Sequence, residues 1–441
     1  MRRRRVSLLL CHPIRSRRAL ALSLVVMLAI VPSAGAAQSD STWRDHERAF
    51  QAARKAEDTV AARAQLDAVY RTIGATPRIA SRYATLALDA HDSSGASRWL
   101  GAIAAMGAEL DTALVSRYRA LAGLRAFAAL HALSVLATSD AGSPRLSFRL
   151  PDVDMIAEDI AYDAGSARFL VSSVRHGGIY AASASSRAAA IVQPGADSSW
   201  GMFALGVSRD AFWTTTAALS LAANYAPADS GKSALLAYDL RTGKLRGRYV
   251  APDSGAHVLG DLVVGANGAV YVADGAGGGV YTLAPGGDSL RVLVQPGILY
   301  SPQTPALSSD GATLFVPDYA IGIAAVSIAT GKVTWIAHSD SLALTGIDGM
   351  YRLGRDLIVV QNGLEPNRIL RLTLDPQMLR VARATVLARG PSARSLTHAT
   401  IAGGWLYFIT KSGWERVAED GTMRTGKTAD APAVMRVRIA P

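Results

Sequence analysis

The sequence contains a single cysteine, Cys11, which lies in an arginine-rich segment at the N-terminus. The rest of the chain can therefore form no disulfide, and it offers neither a thiol nucleophile nor a thiolate metal ligand. Other catalytic motifs are missing as well. There is no G-x-S-x-G elbow, no H-E-x-x-H pair, no Walker loop and no G-x-G-x-x-G turn. Any chemistry must use carboxylates, amides, hydroxyls or histidines.

Acidic residues are absent before residue 37, where seven arginines precede an apolar run over Ala19–Val31, which an A-x-A site follows. This pattern predicts a secretory signal peptide over residues 1–37, cleaved after Ala36 or Ala37, and hence a periplasmic or secreted protein. An uncleaved anchor is the alternative. Without the seven arginines the formal net charge falls from +11 to +4, which does not favour nucleic-acid binding. No later segment predicts a membrane span.

The segment 41–138 is rich in alanine, poor in β-branched residues and periodic near 3.6, which predicts a small all-α domain. The part from Tyr83 to Met106 resembles one helix pair of a tetratricopeptide repeat. Gly95 predicts a helix end, and Asp111 predicts an N-cap. A helical-repeat domain of this kind is typical of proteins that bind a protein partner.

Beyond a linker-like stretch at 139–144, short β-rich runs alternate with glycine, aspartate and proline turns. One strand–turn–strand phrase recurs six times at spacings of about 40 to 60 residues, the period of a propeller blade. The phrases open at Glu158, Trp200, Asp261, Gln303, Asp348 and His398. Open sandwiches also have short strands, but not this repeat. The sequence predicts a mainly β fold, a six-bladed β-propeller over residues 145–441 with one four-stranded blade per repeat.

The six opening residues are predicted to form a ring, because the innermost strand of each propeller blade follows the central channel. The carboxylates of Glu158, Asp261 and Asp348 would repel one another unless a cation or protons intervened. Carboxylate and amide oxygens favour Ca²⁺, or another hard cation such as Mg²⁺, over copper or zinc. Channel mouths are filled with water, so the alternative interpretation is that these ring residues are polar only because they face solvent.

Further polar candidates lie at strand ends and in the ring. Asp274, Asp318 and Asn362 end or follow second strands, where they are either outer-ring ligands or ordinary strand-end residues. His398 is a candidate proton shuttle or a hydrogen-bonding wall residue, and Trp200 is a candidate apolar wall. The predicted substrate contacts are Trp200, Asp261, Asp318, Asn362 and His398.

Several phrases resemble the senescence-marker-protein, gluconolactonase and luciferin-regenerating-enzyme family of six-bladed propellers. They are Leu150–Asp163, Phe169–Val174, Gln303–Asp318 and Gly346–Met350. The resemblance implies one divalent cation, usually calcium, in the channel and hydrolysis of a lactone or related ester. It implies Glu158, Gln303 and Asp348 as metal ligands and Asp348 as the base. It places Asp261 where the family has a substrate-contacting asparagine, and Asp159 where the family commonly has glycine.

Three hypotheses for the function follow. The first is a divalent-metal-dependent hydrolase of a lactone or related ester, in which Asp348 takes a proton from the attacking water. The second is a non-catalytic propeller that binds a small ligand or a protein, with the helical domain as an interaction module. The third is a quinoprotein-like dehydrogenase, based on Thr-Gly-Lys motifs at 242–244 and 330–332. A tight turn between outer strands also explains those motifs.

Overall fold

A computed structural model describes residues 43–439 except 151, 184–185, 419–420 and 425–429. The predicted signal peptide therefore lies outside the described residues. Within them, five α-helices come first, and twenty-four strands follow in six four-stranded sheets. The fold is mainly β, a six-bladed propeller preceded by helices, as the sequence predicts.

The second to fifth helices each begin after a residue whose side chain caps the helix N-terminus. The bounds of the five helices are α1 Trp43–Lys55, α2 Thr59–Ile73, α3 Pro77–Asp89, α4 Ser93–Ala105 and α5 Thr112–Thr138. Asp111 accepts a hydrogen bond from the backbone N–H of Leu114 at 2.8 Å, so the predicted N-cap is confirmed. The helix end predicted at Gly95 is wrong. Gly95 lies in the first turn of α4, where its N–H donates to the capping carboxylate of Asp92.

The helices share a hydrophobic core with the propeller. Tyr83 of α3 and Trp99 of α4 stack with ring centroids 4.3 Å apart. Ile321 and Ala343 of the propeller are buried in the same cluster. The helices are therefore anchored to the propeller by apolar contact. Their likeness to a tetratricopeptide repeat stays a prediction.

Three consecutive sets of four strands form blades one to three, after a strand β1 (Arg145–Arg149) that belongs elsewhere. Blade one contains β2 Ala157–Asp163, β3 Arg168–Ser173, β4 Gly178–Ser183 and β5 Ser186–Val192. Blade two contains β6 Gly201–Val207, β7 Ala211–Ala217, β8 Ser233–Asp239 and β9 Leu245–Tyr249. Blade three contains β10 Leu259–Val264, β11 Val270–Asp274, β12 Gly279–Leu283 and β13 Arg291–Val294.

The remaining blades complete and close the ring. Blade four contains β14 Ala306–Leu307, β15 Thr313–Asp318, β16 Gly322–Ser327 and β17 Val333–Trp335. Blade five contains β18 Ile347–Leu353, β19 Asp356–Gln361, β20 Arg368–Leu374 and β21 Val381–Arg389. Blade six contains β22 Ala399–Ala402, β23 Trp405–Thr410 and β24 Ala433–Arg438. Its fourth strand is β1, which pairs antiparallel with β24, so strands from both ends of the propeller region close the ring.

Helix α5 differs from the other helices because it is both apolar and exposed. By length and composition it is the one helix in the described part of the chain that could cross a membrane. Only 6% of its most apolar 18-residue window is buried. Gly123 interrupts the helix with φ 82°, a left-handed value that favours glycine.

Candidate functional site

Irregular pairing in the inner strands shapes one mouth of the channel. Four inner strands shift register near their start: β2 between Ala157 and Ile160, β6 between Met202 and Leu205, β10 between Leu259 and Asp261, and β18 between Ile347 and Gly349. A bulge inserts a residue into the ladder and re-aims side chains. The register shifts fall at or beside Glu158, Asp261 and Asp348. The regular alternation of side chains between the two faces of a strand therefore does not determine where these three side chains point.

Glu158, Gln303 and Asp348 line one cavity of about 90 Å³ at this mouth. The cavity is also lined by Asp261, Ser301, Phe203, Tyr319 and Trp414. The three residues predicted as metal ligands thus come from blades one, four and five and share one small space. A wider channel of about 1280 Å³, lined by turns between first and second strands, approaches from the opposite side and reaches Asp159.

His398 carries positive charge into this cluster. Its Nε2 lies 2.9 Å from Asp261 Oδ1 and 4.0 Å from Asp348 Oδ1, and its Nδ1 lies 3.0 Å from the carbonyl oxygen of Glu158. Oxygen atoms that can accept a hydrogen bond lie at both nitrogens, an arrangement that suits the imidazolium, which donates at each nitrogen. Burial alone would lower the pKa of His398, but the charges of Asp348, Asp159 and Asp261 outweigh it and raise the pKa well above its usual value.

The carboxyl groups around this imidazolium resist ionising together. Burial and neighbouring carboxylates raise the pKa of Glu158 to about 8 and that of Asp348 to about 6, against the attraction of His398. Burial likewise raises the pKa of Asp159 to about 7. With Asp261, four carboxyl groups lie close enough to His398 to interact with its charge. The excess negative charge must be neutralised by protons or by a cation.

Neighbouring side chains fix the orientation of two of these carboxylates. The amide of Asn362 donates to Asp348 Oδ2 at 2.5 Å, and Asn362 in turn accepts a hydrogen bond from the Tyr319 hydroxyl at 3.0 Å. The Thr304 hydroxyl donates to Asp261 Oδ1 at 2.6 Å. Asn362, predicted as a substrate contact, therefore holds Asp348 in place.

The other two cavity residues also have defined partners. The indole N–H of Trp414 donates to the Glu158 carboxylate. The amide N–H of Gln303 donates to the Ser301 hydroxyl at 3.0 Å, which leaves the amide oxygen for another ligand. Trp414 was not among the sequence candidates, since it lies in the loop after β23 rather than at a repeat position.

Two predicted substrate contacts lie away from the cavity. The indole N–H of Trp200 donates to Asp229 at 3.2 Å, and the guanidinium of Arg248 lies 5.2 Å from the centre of its ring. Asp318 is fully buried and accepts the backbone N–H of Tyr300 at 2.6 Å, so it closes a strand-end turn. Neither Trp200 nor Asp318 lines the cavity, and Asn362 and His398 lie behind it, in contact with Asp348 and Asp261 respectively.

Asp274 likewise has a strand-end role. Its carboxylate lies 2.7 Å from Nδ1 of His257, whose Nε2 is 3.0 Å from Asp253. The carboxylate of Asp274 also accepts the backbone N–H groups of Val258 and Gly277, each at 3.0 Å. The carboxylate of Asp274 therefore hydrogen-bonds to the local backbone and to His257.

The Thr-Gly-Lys motifs form turns between the outer strands of blades two and four. In the first, Asp239 accepts the N–H of Thr242 at 2.7 Å, and Gly243 has φ 68°. In the second, Gly331 has φ 69°. Neither motif lines either channel cavity, so the turns need no cofactor to explain them.

The candidate ligands fit a hard divalent cation in their chemistry. Glu158, Gln303 and Asp348 offer carboxylate and amide oxygens, which Ca²⁺ and Mg²⁺ prefer. The surplus of negative charge around His398 also favours a cation. Among the described residues, no three acidic, histidine or cysteine side chains form a ready metal cluster. The amide of Gln303 is therefore needed as the third ligand, and the metal stays a prediction.

No protein-family model matches this chain, and no curated protein matches it in sequence. Solved structures with a similar fold include a luciferin-regenerating enzyme, at 11% identity over 68% of this chain and 95% of that one, with a TM-score of 0.47. Another is regucalcin, a calcium-binding protein from Agrobacterium tumefaciens (16%; 67% and 95%; TM-score 0.46). A third is the PQQ-bound aldose sugar dehydrogenase from Streptomyces coelicolor (14%; 68% and 99%; TM-score 0.46). The likeness concerns the fold, and we infer no function from it.

Proposed function

We propose that this protein is an exported hydrolase of a lactone or related ester that uses a divalent cation in the propeller channel. One observation supports the proposal most strongly. Glu158, Gln303 and Asp348, drawn from three blades, line a single cavity at one mouth of the channel. At about 90 Å³, the cavity can hold water and suits the reacting end of a substrate.

Asp348 is the proposed general base. Asn362 holds its Oδ2, while Oδ1 is 4.0 Å from His398 Nε2, beyond hydrogen-bond distance. Oδ1 is therefore available to a water molecule. As that water attacks the acyl carbon, its proton passes to Asp348. The acyl C–O bond then breaks, and the departing alcohol oxygen takes up that proton from Asp348, which regenerates the carboxylate.

Glu158, Gln303 and Asp348 would hold the cation, which when bound supplies a Lewis acid for the carbonyl oxygen of the ester. The other cavity residues bind and orient the substrate. Asp261 can accept a hydrogen bond from a substrate hydroxyl, and Phe203 supplies an apolar wall. The acidic side formed by Asp261 and the apolar side formed by Phe203 together suit a compact ring that has hydroxyl groups on one face.

Chelation tests this proposal. We expect the purified mature chain to hydrolyse members of a panel of five- and six-membered sugar lactones. A pH-stat measures the acid that hydrolysis releases. EDTA is expected to abolish the activity, and added Ca²⁺ or Mg²⁺ to restore it, because the cation activates the ester. Turnover that EDTA leaves unchanged would contradict the role of the metal. Cation binding without turnover on any lactone would favour the non-catalytic binding propeller.

A further inference from the structure

The second half of α5 presents an apolar surface to solvent, which we call the α5 face. It consists of Leu124, Leu133, Val135 and Leu136, four of the eleven exposed large hydrophobic residues in the described chain. Leu124 is 66% exposed and Leu136 is 71% exposed. Leu130, on the other side of the helix, is buried in the core shared with the propeller. Clustered apolar side chains of this kind mark a binding surface.

The helix does not cross a bilayer, although its length and composition would allow it. The chain before α5 contacts the chain after it. Arg44 of α1 donates to the carbonyl oxygens of Gly297 and Leu299 at 2.7 and 2.6 Å, and the Tyr70 hydroxyl donates to Asp340 at 2.8 Å. Both ends of α5 therefore lie on the same side of any membrane. Whatever covers the α5 face must approach it from the side.

The charge of α5 distinguishes the possible occupants. The helix contains three arginines and one histidine but no acidic residue. Arg117 pairs with Asp89 at 2.7 Å, whereas Arg125, beside Leu124, is exposed and forms no ion pair with the described residues. A second copy docked through the same face would bring like charges together. An anionic lipid surface instead supplies the opposite charge together with an apolar layer.

We propose that the α5 face binds the surface of an anionic membrane, with the helix lying in the plane of the interface. The four apolar side chains of the face enter the boundary between headgroups and acyl chains, and Arg125 contacts the headgroups. The buried side of α5 packs on the protein, and its exposed side combines apolar side chains with an exposed arginine, which suits reversible, peripheral binding to an anionic bilayer. The proposal is independent of the catalytic site, since α5 contributes no residue to the cavity.

Vesicle co-sedimentation of the full mature chain tests the proposal. We expect binding to vesicles that contain about one third phosphatidylglycerol in phosphatidylcholine, and weaker binding to pure phosphatidylcholine. The double variant Leu124→Gln/Leu136→Gln is expected to lose at least about tenfold in affinity, and Arg125→Gln to lose the preference for anionic lipid. Val250→Gln, at an exposed apolar residue just after β9, is the matched control and should bind like the wild type.

Three results would overturn the proposal. The first is absence of sedimentation with anionic vesicles. The second is equal binding by the double variant and by the Val250→Gln control. The third is a dimer in analytical ultracentrifugation that the double variant dissociates while no vesicle binding is seen, which would assign the face to a second copy of the chain. Circular dichroism should show unchanged folding for all variants, because every substituted side chain is exposed.

Discussion

Replacement of Asp348 by asparagine is expected to reduce kcat for lactone hydrolysis by roughly 10²- to 10⁴-fold, the usual contribution of a positioned general base. The amide has nearly the same shape as the carboxylate, and its oxygen can still accept the hydrogen bond from Asn362. The variant should therefore fold normally while losing the group that takes the proton. Initial rates at saturating lactone and Ca²⁺ measure the effect.

The matched control is Asp288→Asn. Asp288 is an exposed acid between β12 and β13 that accepts a hydrogen bond from the hydroxyl of Ser289. Its replacement removes one negative charge at a residue that does not line the cavity of Asp348, and it should leave kcat unchanged. A general base contributes far more than threefold to the rate. If Asp348→Asn retained activity within about threefold of this control, Asp348 could not be the base.

Replacement of His398 by leucine is expected to lower Tm by roughly 5–10 °C at neutral pH, because removal of one partner from a buried ionic cluster costs about 3–5 kcal/mol. The imidazolium lies 2.9 Å from Asp261 and is 2% exposed. Without it, Asp261 and Asp348 face each other across the channel with no compensating charge on the protein. Differential scanning calorimetry measures the change.

The control for this second experiment is His131→Leu, at an exposed position on α5. Surface substitutions of this kind usually change stability by less than about 0.5 kcal/mol. A Tm for His398→Leu equal to that of the control would show that the channel carboxyl groups do not depend on His398 for neutralisation.

The repeat in the sequence predicts the architecture because a blade period fixes where each inner strand begins. For this reason Glu158, Asp261, Gln303 and Asp348, which were proposed from the repeat alone, line the same cavity. Trp200 was placed in the ring by the same reasoning, but its indole contacts Asp229 instead. The register shift in β6 puts Phe203, three residues later, on the cavity. A period detects the strand, but it does not detect a bulge within it.

Contacts between distant parts of the chain could not be predicted from the repeat. The pairing of β1 with β24, which closes blade six, joins residues at opposite ends of the propeller region. Trp414 meets Glu158 from a loop that no repeat position marks. The charge on His398 depends on burial and on distances to carboxylates, which the sequence does not give. The sequence predicts that a cation or protons must offset the repulsion among the acids, and the structure places His398 2.9 Å from Asp261 with a raised pKa.

Calorimetric titration of metal-free protein with Ca²⁺ tests most directly whether oxygens from three blades form one cation site. The account predicts a single saturable site per chain, which Glu158→Gln and Asp348→Asn each weaken and Asp288→Asn leaves intact, because an amide oxygen is a poorer cation ligand than a carboxylate. Absence of binding, or an affinity that neither substitution lowers, would contradict it.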